Sequence, residues 1–160
     1  MKHKSFETMQ CPVARSLEQL GEWWSMLILR DALHGYSRFE EFERSLGIAP
    51  GMLARRLKSL VEAGMLERRR YSASPPRYEY IATERCRDFE TVLHAMLAFG
   101  NRHFAPEGKS VVIVDAETGA EAEPVLTDAV SGRPMSHPNF RWTAGPAAAE
   151  DVRQRYALKR

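Results

Sequence analysis

Cysteine is scarce in this chain: Cys11 and Cys86 are the two among 160 residues. Two thiols cannot build a disulfide scaffold or supply four ligands to a structural metal. Long apolar runs are missing as well. The longest aliphatic stretches, Met26–Leu29 and Val111–Val114, are four residues each, against the roughly 20 that a membrane-spanning helix needs. The opening Met1, Lys2, His3 and Lys4 lead into polar residues and not into the apolar core of a signal peptide. The expected compartment is therefore the cytosol, with no membrane partner. The chain has no Gly-rich phosphate loop, no nucleophile elbow and no carboxylate pair standing with a histidine. His94, His103 and His137 each lack a second histidine at metal-ligand spacing and read as packed or solvated side chains. These absences argue against an enzyme and against a resident cofactor or metal.

What is present is a globular composition, 44% apolar and 28% charged, with length for one compact domain and an appendage. The net charge of +2 conceals a separation. Between residues 44 and 77, eight basic side chains (Arg44, Arg55, Arg56, Lys58, Arg68, Arg69, Arg70 and Arg77) stand against Glu62 and Glu67, a local +6. Between residues 105 and 131, Lys109 stands against six acidic side chains, a local −5. This asymmetry points to a polyanion-binding body with an appended acidic element facing away from the polyanion.

Helix signals dominate the first hundred residues. Cys11-Pro12 opens a first helix, with Val13, Leu17 and Leu20 on one apolar face and Gly21 at its end. Trp23 to Leu33 is apolar on more than one side, as befits a central core helix. Ser37 is the expected N-cap of a short third helix carrying Phe39, Phe42 and Leu46, which Gly47 ends. Ile48-Ala49-Pro50 restarts the chain into a fourth helix with Leu53, Leu57 and Leu60 along one arc. Two short helices split by a glycine turn, the second basic, form a helix-turn-helix pattern. At about 100° per residue, Gly51, Ala54, Arg55 and Lys58 project from the side opposite the leucines, with Arg56 on a flank. Small residues at that end let the backbone approach a groove while arginine reaches past it.

Met65–Tyr71 and Arg77–Ala82 read as strands around a Ser72-Ala73-Ser74-Pro75-Pro76 tip that cannot continue a ladder. A hairpin carrying Arg68, Arg69 and Arg70 directly after a helix-turn-helix is a wing, suited to phosphates or the minor groove. Thr83-Glu84 then starts a long helix to about Phe104. Its apolar positions (Phe89, Val92, Leu93, Met96, Leu97, Phe99) exceed what a winged helix of this size covers, so a dimer contact is expected.

These features resemble the HxlR-type winged helix-turn-helix transcriptional regulators of bacteria. The resemblance rests on Cys11-Pro12-Val13, Trp24 to Arg30 (WSMLILR), Arg38-Phe39 and Leu53–Leu60 (LARRLKSL). It continues through Glu62-Ala63-Gly64-Met65-Leu66 and Pro75-Pro76-Arg77-Tyr78-Glu79-Tyr80. It implies a mainly α fold with a small β-hairpin wing and a homodimer through the first and long helices. It also implies recognition helices in successive major grooves of a pseudo-palindromic double-stranded DNA operator, usually for repression. The expected DNA-binding residues are Ser37, Arg38, Pro50, Gly51, Ala54, Arg55, Lys58, Arg68, Arg69, Arg70 and Arg77. The family favours Ser or Thr where Ala49 and Ala54 stand, and a polar residue where Gly51 stands, which shifts the weight onto Arg55, Lys58 and the wing. Residues 10–104 are expected to form this DNA-binding and dimerisation domain.

Residues 105–160 are then a C-terminal extension: a small acidic β-hairpin and a short tail helix from Ala147 to Leu158. Ser110–Val114 and Pro124–Leu126 are β-prone, and Asp115-Ala116-x-x-Gly119 repeats as Asp128-Ala129-x-x-Gly132, thirteen residues on. The spacing resembles the knuckles of a zinc ribbon, with Asp115, Thr118, Asp128 and Ser131 at the ligand positions. Lacking sulfur and imidazole, the element reads as metal-free.

Three readings stay open. Cys11, at a helix start where unpaired N–H groups favour a thiolate, is either a sensor of small electrophiles or oxidants, as the resemblance implies, or a small apolar dimer residue. Cys86 stands among charges and is either incidental or the resolving partner of Cys11 from the other protomer. The chain as a whole is a DNA-binding regulator or, alternatively, a winged-helix protein-interaction module that docks through its acidic hairpin. Arg56 is expected to pair structurally with Glu62 or a neighbour, and Arg30 to form an ion pair on the buried second helix.

Overall fold

The computed structural model describes residues 5–157 apart from Glu7 and His137. The readings of His137 and of a tail helix reaching Leu158 lie outside the described residues. In chain order the elements are α1 (Pro12–Leu20), α2 (Trp23–Leu33), α3 (Phe39–Leu46), α4 (Pro50–Glu62), β1 (Leu66–Ala73), β2 (Pro76–Ala82) and α5 (Glu84–His103). The extension adds β3 (Ile113–Val114), β4 (Glu121–Ala122) and α6 (Glu150–Ala157).

The core forms where α2, α3, α4 and the base of the wing meet. Ile28 and Leu29 of α2, Phe42 of α3, and Leu53, Leu57 and Leu60 of α4 are completely buried together. Burial of each such side chain is worth about 1.5–3 kcal/mol. The turn between α3 and α4 needs Gly47 in the left-handed region (φ +60°), where a Cβ would be strained. Ile48 then drops into the core behind it, 3% exposed. This fixes the angle at which α4 leaves the body.

Two elements depart from the expected burial. Leu20 at the end of α1 is buried, but Val13 and Leu17 on the same face remain about half exposed, at 48% and 46%. Trp23, in the first turn of α2, is 84% exposed and not part of the core. On α5, Val92, Met96 and Phe99 form an open stripe at helical spacing, with Phe104 just beyond it.

The wing also differs from expectation at its tip. The ladder runs on to Ala73 opposite Pro76, leaving Ser74-Pro75, joined by a cis peptide bond, as the whole turn. Pro76 is tolerated because it begins β2, where a missing N–H costs no interior ladder bond. A bulge between Arg70 and Ser72 leaves Tyr71 unpaired. The wing joins the body where the Tyr80 N–H donates to the Ser37 carbonyl at 2.7 Å and Arg38 bridges Glu79. Thr83 caps α5: its Oγ1 accepts from the Cys86 N–H and donates to the Gly64 carbonyl at 2.8 Å.

The extension holds two small hairpins in succession rather than one. β3 pairs with β4, and a separate bridge joins Thr127 to Pro134, with the Met135 N–H donating to Leu126. Pro124–Leu126 therefore pairs forward, not back to 110–114, because each Asp-x-x-x-Gly loop closes locally at low entropic cost. The thirteen-residue repeat is also a structural repeat. The Asp115 N–H donates to Ala120 and the Asp128 N–H to Arg133, each five residues on, while Gly119 and Gly132 each donate back to their aspartate carbonyl. Asp115 Oδ1 accepts from the N–H groups of Glu117 and Thr118; Asp128 accepts from those of Val130 and Ser131. The Ser131 hydroxyl, which also donates to Asp128, and then these N–H bonds hold the Asp128 carboxyl below the usual carboxylate range, and the Thr118 N–H foremost does so for Asp115. The aspartates thus serve as the loops' internal anchors.

Among the described residues, hydrogen bonds and ion pairs tie the extension to the rest of the chain at two places. Asn101 Nδ2 donates to the Val111 carbonyl at 2.9 Å and Arg102 pairs with Glu123 at 3.1 Å. Further on, the Ala149 N–H donates to Gln10 Oε1 at 2.8 Å, fastening the tail beside the start of α1.

Candidate nucleic-acid interface

α4 is two-faced for a simple reason. Leucines recurring at three and four residues pull one edge into the core, and the residues between them must face out. Pro50, Gly51, Ala54, Arg55 and Lys58 are all exposed. A Cβ at Gly51 would meet nothing within 4 Å, so the start of this edge is a thin, open backbone surface. The Arg55 guanidinium rests against Met52 Sδ at 2.9 Å, a weak acceptor that leaves its other donors available. Lys58 lies 3.8 Å from Glu62 one turn on, an exposed pair worth a few tenths of a kcal/mol at ~0.3–0.5.

Arg56 does not belong to this outward edge. It is 16% exposed and pairs with Glu22 at the start of α2 at 2.8 Å. Its expected structural role holds, but through Glu22 and not Glu62, which lies nearer Lys58. Arg30 does pair with Asp31, at 2.7 Å, and the buried carboxylate belongs to Asp31, while the Arg30 side chain is 44% exposed.

The four wing arginines separate into two kinds. Arg69 is bound to Glu79 directly across the ladder at 2.8 Å. Arg70 folds over the tip, with Nε on the Ser72 carbonyl at 3.0 Å and Nη2 on that of Ala73 at 2.5 Å. Arg68 instead lies over the Tyr78 ring, its Cζ 3.5 Å from the centroid, and its side chain makes no hydrogen bond or ion pair among the described residues. Arg77 is exposed and makes no hydrogen bond or ion pair among the described residues.

Ser37 and Arg38 sit where α3 meets the wing. Arg38, and not the expected Ser37, is the N-cap residue of α3. Both backbone N–H groups donate to Glu41 Oε2, at 2.9 and 2.8 Å. An arginine side chain has no acceptor, so Glu41 supplies the working half of the capping box. Its carboxyl is held below the usual range, chiefly by the Arg38 N–H and then by that of Ser37. The Arg38 guanidinium lies 5.0 Å from the centre of the Tyr71 ring. Tyr71, Tyr78, Glu79 and Glu22 thus position basic groups without having been expected to. Cross-strand register was the signal for Tyr78 and Glu79.

The two cysteines differ sharply. Cys11 is the half-buried N-cap residue of α1. Cys86 is fully buried in the core cluster, and burial pushes its thiol up to about 11, against the opposing pull of Arg87. Its enclosure makes Cys86 a core residue, in keeping with the incidental reading, and argues against its resolving a disulfide with Cys11 of another protomer.

The HxlR-like helix-turn-helix family model matches residues 19–108. The chain belongs to the HxlR-like family. An HTH-type transcriptional regulator of Mycobacterium tuberculosis is 36% identical over 135 residues, covering 84% of this chain and 85% of the relative. A solved structure described as a transcription factor from Pseudomonas aeruginosa is 52% identical, covers 91% of this chain and 99% of its own, and superposes with a TM-score of 0.66. The redox regulator HypR in its reduced form is 31% identical, covering 61% of this chain and 99% of its own, at a TM-score of 0.55. This HxlR-like chain is a winged-helix transcriptional regulator, and its relatives are regulators rather than enzymes. Family membership implies DNA binding. HypR is almost wholly matched by three-fifths of this chain, whereas the Pseudomonas structure matches nearly all of it. No helix among the described residues is long and apolar enough to cross a membrane.

Proposed function

We propose that this HxlR-like protein is a homodimeric repressor of a pseudo-palindromic operator, with residues 10–104 as its DNA-binding and dimerisation domain and 105–160 as an appended extension. α4 enters the major groove. Pro50, Gly51 and Ala54 allow close approach, Arg55 and Lys58 reach bases or phosphates, and Ser37 with Arg38 meet the backbone at the start of α3. Arg68 and Arg77 grip the flanking phosphates, with Arg69 and Arg70 chiefly shaping the wing that carries them. The observation that carries this reading is the exposed edge of α4, small then basic, on an element that packs directly against β1. The open stripe on α5 and the exposed Val13 and Leu17 of α1 support dimerisation through these two helices.

Cys11 is the proposed redox-sensing residue, responding to a small electrophile or oxidant. Its support is the half-buried place at the start of a proposed dimer helix and the likeness to HypR, a redox regulator. The test is fluorescence anisotropy on the DNA upstream of the chain's own gene, with random duplex as control, before and after a mild thiol oxidant. Specific binding lost on oxidation and restored by reductant is the expected result, and Cys11→Ser should bind DNA yet ignore oxidant. A Cys11→Ser variant that still responds would sink the thiol switch, and binding that never exceeds the random control at any candidate promoter would sink the operator.

A further inference from the structure

Where the tail returns to α1, the two segments leave a solvent-open groove between them. A cavity of about 530 Å³ lies between the first turn of α1 and the segment from Trp142 to Tyr156, a size typical of small-molecule sites, roughly 300–1,000 Å³. Its walls are mainly apolar: Pro12 and Val13 on one side, Trp142, Val152 and Tyr156 on the other. The wall from the tail is held in place by bonds between side chains and backbone. Gln10 Oε1 accepts from the Ala149 N–H at 2.8 Å, and Arg153 Nε donates to the Ala148 carbonyl at 2.9 Å.

The charge of the lining is one-sided. Arg15 and Arg155 both line the cavity, and no acidic side chain does among the described residues. Arg15 uses Nε on the Met9 carbonyl at 2.8 Å, which leaves its terminal nitrogens unassigned. Arg155 has no hydrogen bond or ion pair among the described residues, in a chain where acidic partners are plentiful nearby in sequence. Guanidinium groups present a planar fork of donors that matches a carboxylate, and an indole and a phenol ring suit a flat apolar body.

We propose that this cavity binds a small aromatic carboxylate, with Arg155 and Arg15 receiving the anionic end and Trp142 and Tyr156 the ring. The carboxylate is the occupant that the lining favours: two exposed guanidiniums with no acidic side chain between them attract an anion, which a neutral apolar molecule does not supply, and a cation would be repelled. Because Pro12 and Val13 begin a proposed dimer helix, occupancy would act on the seam between protomers. The site itself is independent of the reading of α4.

The test is calorimetric titration of the full-length chain, without DNA, using 1-naphthoate and its neutral counterpart 1-naphthalenemethanol. The expected result is one saturable site per protomer for 1-naphthoate, with the neutral analogue weaker by about tenfold or more, as loss of a charge-assisted hydrogen bond requires. Arg155→Glu should lose 1-naphthoate binding while melting at the parent temperature by circular dichroism. Trp142→Ala, at a mostly exposed position, should weaken both ligands. Absence of saturable binding, equal affinity for the two ligands, or an Arg155→Glu variant that binds like the parent would each overturn the proposal. None of these outcomes bears on operator binding, which the anisotropy experiment reads separately.

Discussion

The division of the wing arginines makes a quantitative prediction about salt. Each phosphate contact neutralised by a protein cation releases counterions and contributes about −0.9 to the slope of log affinity against log salt. Arg68 and Arg77 keep donors free, whereas Arg69 is held by Glu79 and Arg70 by two tip carbonyls. On the proposed reading, replacing Arg68 and Arg77 by Ala together removes two contacts per protomer and so about four per proposed dimer, flattening the slope by about 3.6. Between about 50 and about 200 mM salt, that difference amounts to roughly 150-fold in affinity span. The Arg69→Ala, Arg70→Ala pair removes the same formal charge but should flatten the slope by less than about half as much. Anisotropy titrations on a random duplex at four or five salt concentrations suffice, since this component needs no operator. Equal flattening by the two pairs, or greater flattening by the second, would refute the division and return all four arginines to one equivalent basic strip.

Three further outcomes follow from particular contacts. Glu41→Ala removes the acceptor for two backbone N–H groups at the start of α3 and should cost about 1 kcal/mol in urea unfolding at neutral pH. Because folding lowers this carboxyl from its ordinary value of 4.5, the contribution is complete above that value and fades as pH falls through the lower folded one. The gap between parent and variant should therefore close in acid, and a gap that widens there would refute the assignment. Native protein treated with iodoacetamide at neutral pH should gain a single adduct at Cys11. Cys86, buried and with its thiol near 11, should be labelled only in denaturant, and rapid double labelling of the native chain would show its environment to be misjudged. Met96→Glu with Phe99→Glu places charge on the open stripe of α5 and should yield a folded monomer by light scattering; a persisting dimer would move the interface elsewhere.

Periodicity made the helical body legible, because burial and spacing agree there. The leucines at 53, 57 and 60, glycine at 47 and Pro12 at a helix start each have one geometry open to them, and α2 occupies the expected Trp23–Leu33. The wing was legible as a hairpin but not at its tip, where a two-residue turn and a bulge at Tyr71 sit among bonds from the Arg70 and Ser72 side chains to tip carbonyls, which strand patterning does not reveal. Charge was legible as a block and misleading as a list. Counting arginines cannot tell that Arg56 turns inward to Glu22, which lies on another element far back in the chain, or that Glu79 neutralises Arg69, which takes the register of the wing strands to see. The same limit hid the burial of Cys86, which looks exposed beside Arg85, Arg87 and Asp88 but occupies the one position in that turn facing the core. In the extension the repeat was visible and its chemistry was not. An aspartate four residues before a left-handed glycine has the spacing of a metal knuckle, yet its oxygens find enough backbone N–H donors to close the loop alone. The aspartate's role as an internal anchor is legible only once the donors around each carboxylate are in place.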